Sequence, residues 1–282
     1  MRLRPCIALV VLVPLGAAGQ TTPRTPWGDP DLQGTYTNKT TTPLQRPEDL
    51  ANREFLTEEE VANRERTALD RNEQLLLAAA RRTTVGGNVG AYNNFWLDGG
   101  TRPTGRTSLI FDPPSGRLPA LTPEAERMRT DARRARAEAD TWEDLELNDR
   151  CMIWQAGPPM LPSAYNNNFM FLQTPDYVAI QVEMIHDTRI IPLDGRSHLP
   201  SNVRQWNGDM RGHWEGDTLV IETAGFNGMT WFDRAGNFHS DALHVVERIT
   251  ARSPETLLYE VTIEDPNVFT RPWQMSMPLY RR

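Results

Sequence analysis

Residues 244–264 read HVVERITARSPETLLYEVTIE, and this stretch decides the fold class. Apolar and polar residues alternate on both sides of the turn Ser253-Pro254-Glu255, so strands over 243–251 and 256–264 are predicted to form a hairpin. Similar segments separated by turn residues recur from residue 166 onward. Strands joined in this way form an antiparallel meander.

The same alternation predicts further strands over 169–173, 177–184, 188–193, 210–215, 218–223 and 273–280. With additional strands in the first half of the chain, about ten are expected, enough to curl a sheet and protect its edges. We therefore predict a mainly β protein with two peripheral helices. Its sheet is expected to be an antiparallel meander barrel of the calycin or lipocalin kind, or else a sandwich.

The first half of the chain carries the helix signals. Thr57 and Glu60 form a capping box that opens a helix near 57–82, and Pro123 opens a charged helix near 123–139. The proline-rich stretch 20–56 is expected to be an extended N-terminal arm that includes a first strand near Tyr36. Residues 57–282 are expected to form a single β-rich domain.

Residues 1–19 have the pattern of a signal peptide. Arg2 and Arg4 precede an apolar run over 7–15, which is followed by the small residues 17–19. This pattern predicts cleavage and a periplasmic or secreted protein. The apolar run is too short to cross a bilayer, so stable membrane insertion is not expected.

Charge and motifs exclude several functions. A net charge of −7 argues against nucleic acid as a partner. The sequence contains no His-Glu-x-x-His or Cys-x-x-Cys metal motif, no Gly-x-Ser-x-Gly elbow, and no phosphate or dinucleotide loop. Cofactors and oligomeric state therefore stay open.

Two parts of the chain read as copies of one unit. Residues 91–96, 107–112 and 116–119 are echoed by 164–169, 188–194 and 195–200. Such repetition is typical of folds built from equivalent pieces. Of the two copies, only the second contains histidines, His186 and His198, so chemistry is expected there.

Strand alternation selects the candidate catalytic residues. His186 and Arg189 flank a turn and are predicted to converge at the barrel mouth. Glu247 lies in an apolar row, so it is predicted to be buried and paired or to line a pocket, with a partner from the strand that carries Glu260 and Glu264. The full candidate set is His186, Arg189, His244, Glu183, Glu247 and Glu264.

Aromatic residues and the Tyr-Asn-Asn segments supply candidate ligand-binding positions. Tryptophan and tyrosine combine an apolar ring with a polar group, which suits the wall of a pocket. The candidates are Tyr92, Trp96, Tyr165, Asn167, His198, Trp206 and Trp273.

Several segments resemble a family of secreted bacterial proteins found in soil groups such as acidobacteria. They are residues 92–98, 106–114, 183–196, 214–219 and 244–248. The resemblance covers most of the chain and implies export, but the family brings no reaction and no catalytic residues. Its strand pattern is loosely similar to that of lipocalins, which is an analogy of fold alone.

Three hypotheses follow for function. The first is an exported barrel that binds a small, partly apolar molecule or a glycan in an aromatic-lined pocket. The second is a cofactor-free or metal-assisted hydrolase, lyase or isomerase that uses histidine and glutamate at the barrel mouth. The third is an envelope interaction protein that uses the arm and the charged helix.

Overall fold

The computed structural model describes residues 23–78, 100–137, 141, 157–232 and 236–282. The fold is mainly β, with 36% strand and 15% helix. The predicted signal peptide, the first Tyr-Asn-Asn segment and residues 142–156 lie outside the described ranges.

Ten strands are described. They are β1 Gly34–Thr37, β2 Ile110–Asp112, β3 Asn168–Gln173, β4 Tyr177–Val182, β5 Thr188–Pro192, β6 Asp209–Glu215, β7 Thr218–Ala224, β8 His244–Ser253, β9 Thr256–Glu264 and β10 Trp273–Arg281. The eight predicted strands from residue 169 onward are all present, because each has an alternating pattern that buries one face.

Nine of the described strands form one antiparallel path in the order β5-β4-β3-β1-β10-β9-β8-β7-β6, and β2 pairs with β10. The path curls into a nearly closed barrel, which confirms the barrel alternative of the predicted fold class. Since every neighbouring pair is antiparallel, the two end strands, β5 and β6, run in the same direction.

β5 and β6 meet along a seam that side chains close. Their Cα atoms approach within 8 Å, yet no ladder joins the two strands. Gly212 permits this approach, since a Cβ atom there would lie only 2.7 Å from side-chain atoms of Ile191 and Leu193. Connecting parallel strands requires a crossover, and residues 193–208 provide it on the outer side of the seam.

Two α-helices are described outside the sheet. α1 spans Glu58–Leu77, and its first turn has the predicted capping box between Thr57 and Glu60. α2 spans Pro123–Ala137. Both confirm the predicted helices, and neither is long and apolar enough to cross a membrane.

β1 lies in the middle of the sheet, although its sequence belongs to the segment predicted as an arm. It pairs with β3 on one edge and with β10 on the other. Tyr36 is buried and accepts a hydrogen bond at its hydroxyl oxygen from Arg281 (2.6 Å).

The described parts of the two sequence copies occupy different places in the sheet. β2, from the first copy, pairs with β10, whereas β5, from the second copy, pairs with β4. The internal repeat therefore stays a prediction.

Candidate functional site

The barrel interior contains a buried ion pair. Arg189 on β5 donates two hydrogen bonds to the carboxylate of Glu247 on β8, one from Nη1 (3.0 Å) and one from Nη2. The Tyr259 hydroxyl donates to Glu247 Oε1 (2.8 Å) and accepts from the Met160 N–H (3.1 Å). Both charged side chains are at most 1% exposed. Within the described residues, the interior thus contains a hydrogen-bonded network packed among apolar side chains.

The charges of this network are held in place by their partners. Burial alone would lower the pKa of Arg189, but the adjacent Glu247 carboxylate outweighs burial and keeps it above its ordinary value. Burial raises the pKa of the Tyr259 hydroxyl well above its usual range, so it remains a hydrogen-bond donor. Glu247 is buried and paired, one of the two predicted alternatives. The predicted strand, β9, supplies Tyr259 rather than the outward-facing Glu260 or Glu264, and the cation comes from β5.

A cleft of about 790 Å³ lies between the seam and the crossover. β5 contributes Thr188 and Ile190, and β6 contributes Asp209 and Arg211. The crossover contributes Trp206, whose ring is half-buried. Because Thr188 and Ile190 are exposed while their neighbours on β5 are buried, the cleft opens on the outer face of the barrel.

Asp209 fastens the crossover to β6. Its carboxylate accepts hydrogen bonds from the Leu199 N–H (2.9 Å), from Arg211 Nη1 (2.7 Å) and from His198 Nδ1 (2.9 Å). Burial by itself would raise the pKa of Asp209, but these bonds hold it below its ordinary value. Asp209 therefore stays ionised at neutral pH and orients one wall of the cleft.

His198 is placed as an anchor of the crossover. Its Nδ1 faces Asp209, while its Nε2 is shielded from solvent and has no hydrogen-bond partner in the described part of the chain. A general base must come within hydrogen-bond reach of the proton it removes. His198 is not among the residues that line the cleft, so its pair with Asp209 fastens the crossover to β6 as a latch.

The turn that leads into β5 positions a second aspartate. Ile185 and His186 have φ values of 63° and 65°, a left-handed conformation that costs free energy for residues with a Cβ. Directly after them, Asp187 accepts a hydrogen bond from Asn207 Nδ2 (2.7 Å) across the cleft. The strained turn thus joins β5 to the crossover.

The charges around the cleft are nearly balanced. Four arginines and two aspartates line it, namely Arg189, Arg196, Arg204, Arg211, Asp187 and Asp209. Each arginine has a carboxylate partner within 4 Å, three of them being the non-lining residues Glu247, Asp194 and Asp241. Arg189 and Glu247 point into the barrel, so three arginines and four carboxylates remain on the cleft side, and a multiply charged anion would find no unneutralised arginine there.

The structure separates the residues predicted to be catalytic. His186 is exposed in the turn, whereas Arg189 points inward, so the two do not converge at a barrel mouth. His244 lies on the outer face and pairs with Glu222 (2.8 Å). Glu183 is exposed and accepts from Asn168, and Glu264 is exposed beside His244. β4 ends at Val182 although Met184 continues the apolar alternation, and His186 lies in the turn that follows.

Of the predicted ligand-binding residues, Trp206 lines the cleft and His198 supports it. Asn167 is buried and braces a turn through two bonds to the Ser163 backbone, and Tyr165 packs against the core. Trp273 is 1% exposed within an aromatic cluster, with ring centroids 5.9 Å from Phe269 and 6.1 Å from Phe232. Tyr92 and Trp96 lie outside the described ranges.

Sequence reasoning missed most residues of the cleft, including the polar residues Asp187, Asn207 and Asp209 that fix its walls. Asp209 begins a strand at an outward position, where an aspartate is ordinarily solvated, so nothing local marked it. Within the described ranges, no three His, Cys, Asp or Glu side chains are grouped to hold a metal ion.

Comparisons with protein-family models, curated proteins and solved structures find no match for this chain. The resemblance to secreted soil-bacterial proteins therefore stays a prediction, and the cleft has to be interpreted from its own chemistry.

Proposed function

We propose that this protein is an exported binding protein whose seam cleft takes a small, neutral, hydroxyl-rich molecule such as a glycan. The observation that carries the proposal is the combination of a half-buried tryptophan with a charge-balanced ring of fixed polar groups around a cleft of about 790 Å³. Volumes of this size are typical of small-molecule sites.

The lining suits hydroxyl groups better than strong charges. Asp187 and Asp209 offer carboxylate lone pairs, while Asn207 and the arginines offer N–H donors, so a hydroxyl finds both a donor and an acceptor. The bonds among these residues hold them in place before a ligand arrives, which lowers the entropic cost of binding. The Trp206 ring supplies an apolar surface for the C–H face of a sugar.

Titration calorimetry against a panel of neutral mono- and oligosaccharides tests the proposal. At least one sugar should bind, and Trp206→Ala should weaken its affinity by about tenfold or more, which corresponds to about 1.4 kcal/mol. Trp206→Tyr should keep much of the affinity because an aromatic ring remains. Trp27→Ala is the matched control, since Trp27 is exposed and lies outside the cleft lining.

Two results would contradict the proposal. One is that no neutral sugar binds to the wild-type protein. The other is that Trp206→Ala binds as tightly as the Trp27→Ala control while its circular dichroism shows an intact fold.

A further inference from the structure

The outer face of β3, β4 and β5 carries no charged side chain. Its nine residues are Asn168, Met170, Leu172, Tyr177, Ala179, Gln181, Thr188, Ile190 and Pro192. Strand register aligns Leu172 with Ala179 and Ala179 with Ile190, so these three form one apolar row across the strands. Leu172 is 48% exposed and Ile190 is 55% exposed. We call these three residues the apolar row.

The opposite part of the sheet differs sharply. The outer face of β6–β9 carries charged groups, including Glu222, which contacts His244 (2.8 Å), and the ion pair Arg248–Glu215 (2.8 Å). A solvent-facing sheet surface ordinarily has such polar side chains. The apolar row is small, but its exposed apolar residues lie together beside a cleft, and ligand-binding grooves are one setting in which contiguous exposed apolar residues occur.

The apolar row runs directly into the cleft. Ile190 ends the row and also lines the cleft, and the neighbouring Pro192 lines it as well. A molecule that occupies the cleft can therefore extend along the row from Ile190. Arg196 reaches the same face at Tyr177, whose hydroxyl accepts a hydrogen bond from it (3.0 Å), and its charge is paired with Asp194.

The area of the outer face of β3–β5 distinguishes between a protein partner and a small ligand as its occupant. Three strands about 4.8 Å apart and five or six residues long, at about 3.3 Å per residue, cover roughly 250 Å². A stable protein partner, such as a second copy of this chain, buries about 800 Å² on each side. The whole face is too small for such an interface by itself. The apolar row is only a part of this face, and it has room for one short alkyl or aryl group.

We infer that the ligand of the seam cleft is an amphiphile, with its hydroxyl-rich part in the cleft and its apolar part on the row formed by Leu172, Ala179 and Ile190. This inference rests on the function proposed above and narrows its ligand class from glycans in general to glycans that carry an alkyl or aryl group.

Calorimetry on the full chain tests the amphiphile inference. The ligands are matched pairs of methyl and n-octyl glycosides of several sugars, used below their critical micelle concentrations. For a sugar that binds, the octyl glycoside should bind about tenfold or more tighter than the methyl glycoside, because apolar area leaves water. Leu172→Ser and Ala179→Asp should reduce this gain at least about threefold and leave methyl glycoside binding unchanged. Leu69→Ser is the matched control, since Leu69 is 52% exposed on α1.

Equal affinities within every pair would overturn the amphiphile inference and leave the proposed function intact. The inference would also be overturned if the octyl glycoside kept its higher affinity in both Leu172→Ser and Ala179→Asp, because the octyl group would then bind elsewhere. If no glycoside binds, the proposed function fails and the inference fails with it. The neutral dye Nile red gives an independent readout, since Leu172→Ser, but not Leu69→Ser, should reduce its fluorescence.

Discussion

At the level of single residues, we expect a substitution in the charge pair inside the barrel to cause the largest loss of stability. Arg189→Met leaves the Glu247 carboxylate buried without its cation, which we expect to cost about 3–5 kcal/mol. The double variant Arg189→Met, Glu247→Gln keeps an acceptor for the Tyr259 hydroxyl and should recover much of that loss. Urea denaturation measures both, and a single variant as stable as the wild type would show that the pair is not formed.

The buried His239 leads us to expect that the folded protein loses stability at acidic pH. Its ring is buried, and burial lowers its pKa more than the Ser240 carbonyl and Asp265 raise it. Below about pH 6.5 the unfolded chain takes up a proton at this histidine before the folded chain does, so protonation favours unfolding. The free energy of unfolding should then fall by up to about 1.4 kcal/mol per pH unit until the folded pKa is reached.

Chemical denaturation between pH 7.5 and 5 measures this slope. His239→Gln removes the titrating group and should flatten it, whatever its effect on absolute stability. His213→Gln is the control, because His213 is exposed on the outer face of β6. An identical slope in the wild type and in His239→Gln would contradict the assignment.

Residue roles were predictable only where they follow from a local pattern. Alternation placed Glu247 in an apolar row, and the structure buries it. Its partner, Arg189, is 58 residues away in sequence, and no local pattern connects the two. The hydrogen bonds of Asp209 to the crossover were likewise not predictable from sequence, because they depend on how the crossover folds across the outer side of the seam.

Among the elements, the crossover 193–208 contains no helix or strand, and its attachment to the sheet depends on Asp209. Asp209→Ala would leave the Leu199 N–H and the Arg211 guanidinium without their carboxylate, so the crossover should open more readily. We expect deuterium uptake over residues 195–207 to rise severalfold while β8 and β9 stay protected. Asp217→Ala, at an exposed aspartate in a turn, is the control, and equal uptake in both variants would rule out the latch.

Strands and helices were predicted well because their signals are local. The hairpins of β6 with β7 and of β8 with β9 follow from alternation and from turns at Gly216 and Pro254. The error near His186 arose where a strand was extended two residues too far, since Met184 continues the apolar pattern inside the turn. Periodicity alone does not mark where a ladder stops.

For the whole molecule, β1 is the only hydrogen-bonded link between β3–β5 and β6–β10 in the described path. Tyr36→Ala should remove about 3–5 kcal/mol of stability, since the buried ring also packs edge-on against Phe171. We expect β3–β5 to exchange their amide hydrogens before β7–β9 in this variant. Leu257→Ala, a buried change within β9, is the control and should not separate the two halves.

The barrel as a class was predictable, but its closure was not. About ten alternating strands imply a curled sheet, whereas the position of the gap depends on which strands end the path. Nothing in the sequence of β5 or β6 states that the two run side by side in the same direction. The seam and the cleft above it therefore became visible only in three dimensions.

The pairing of β1 with β10 also limits when the sheet can form as the chain is synthesised. Tyr36 and Arg281 are 245 residues apart, so β1 leaves the ribosome long before its partner exists. At about 5–20 residues per second, that interval lasts roughly 12–50 seconds. The sheet cannot be completed before β10 has been synthesised, and any cellular process that needs an unfolded chain has this interval in which to act.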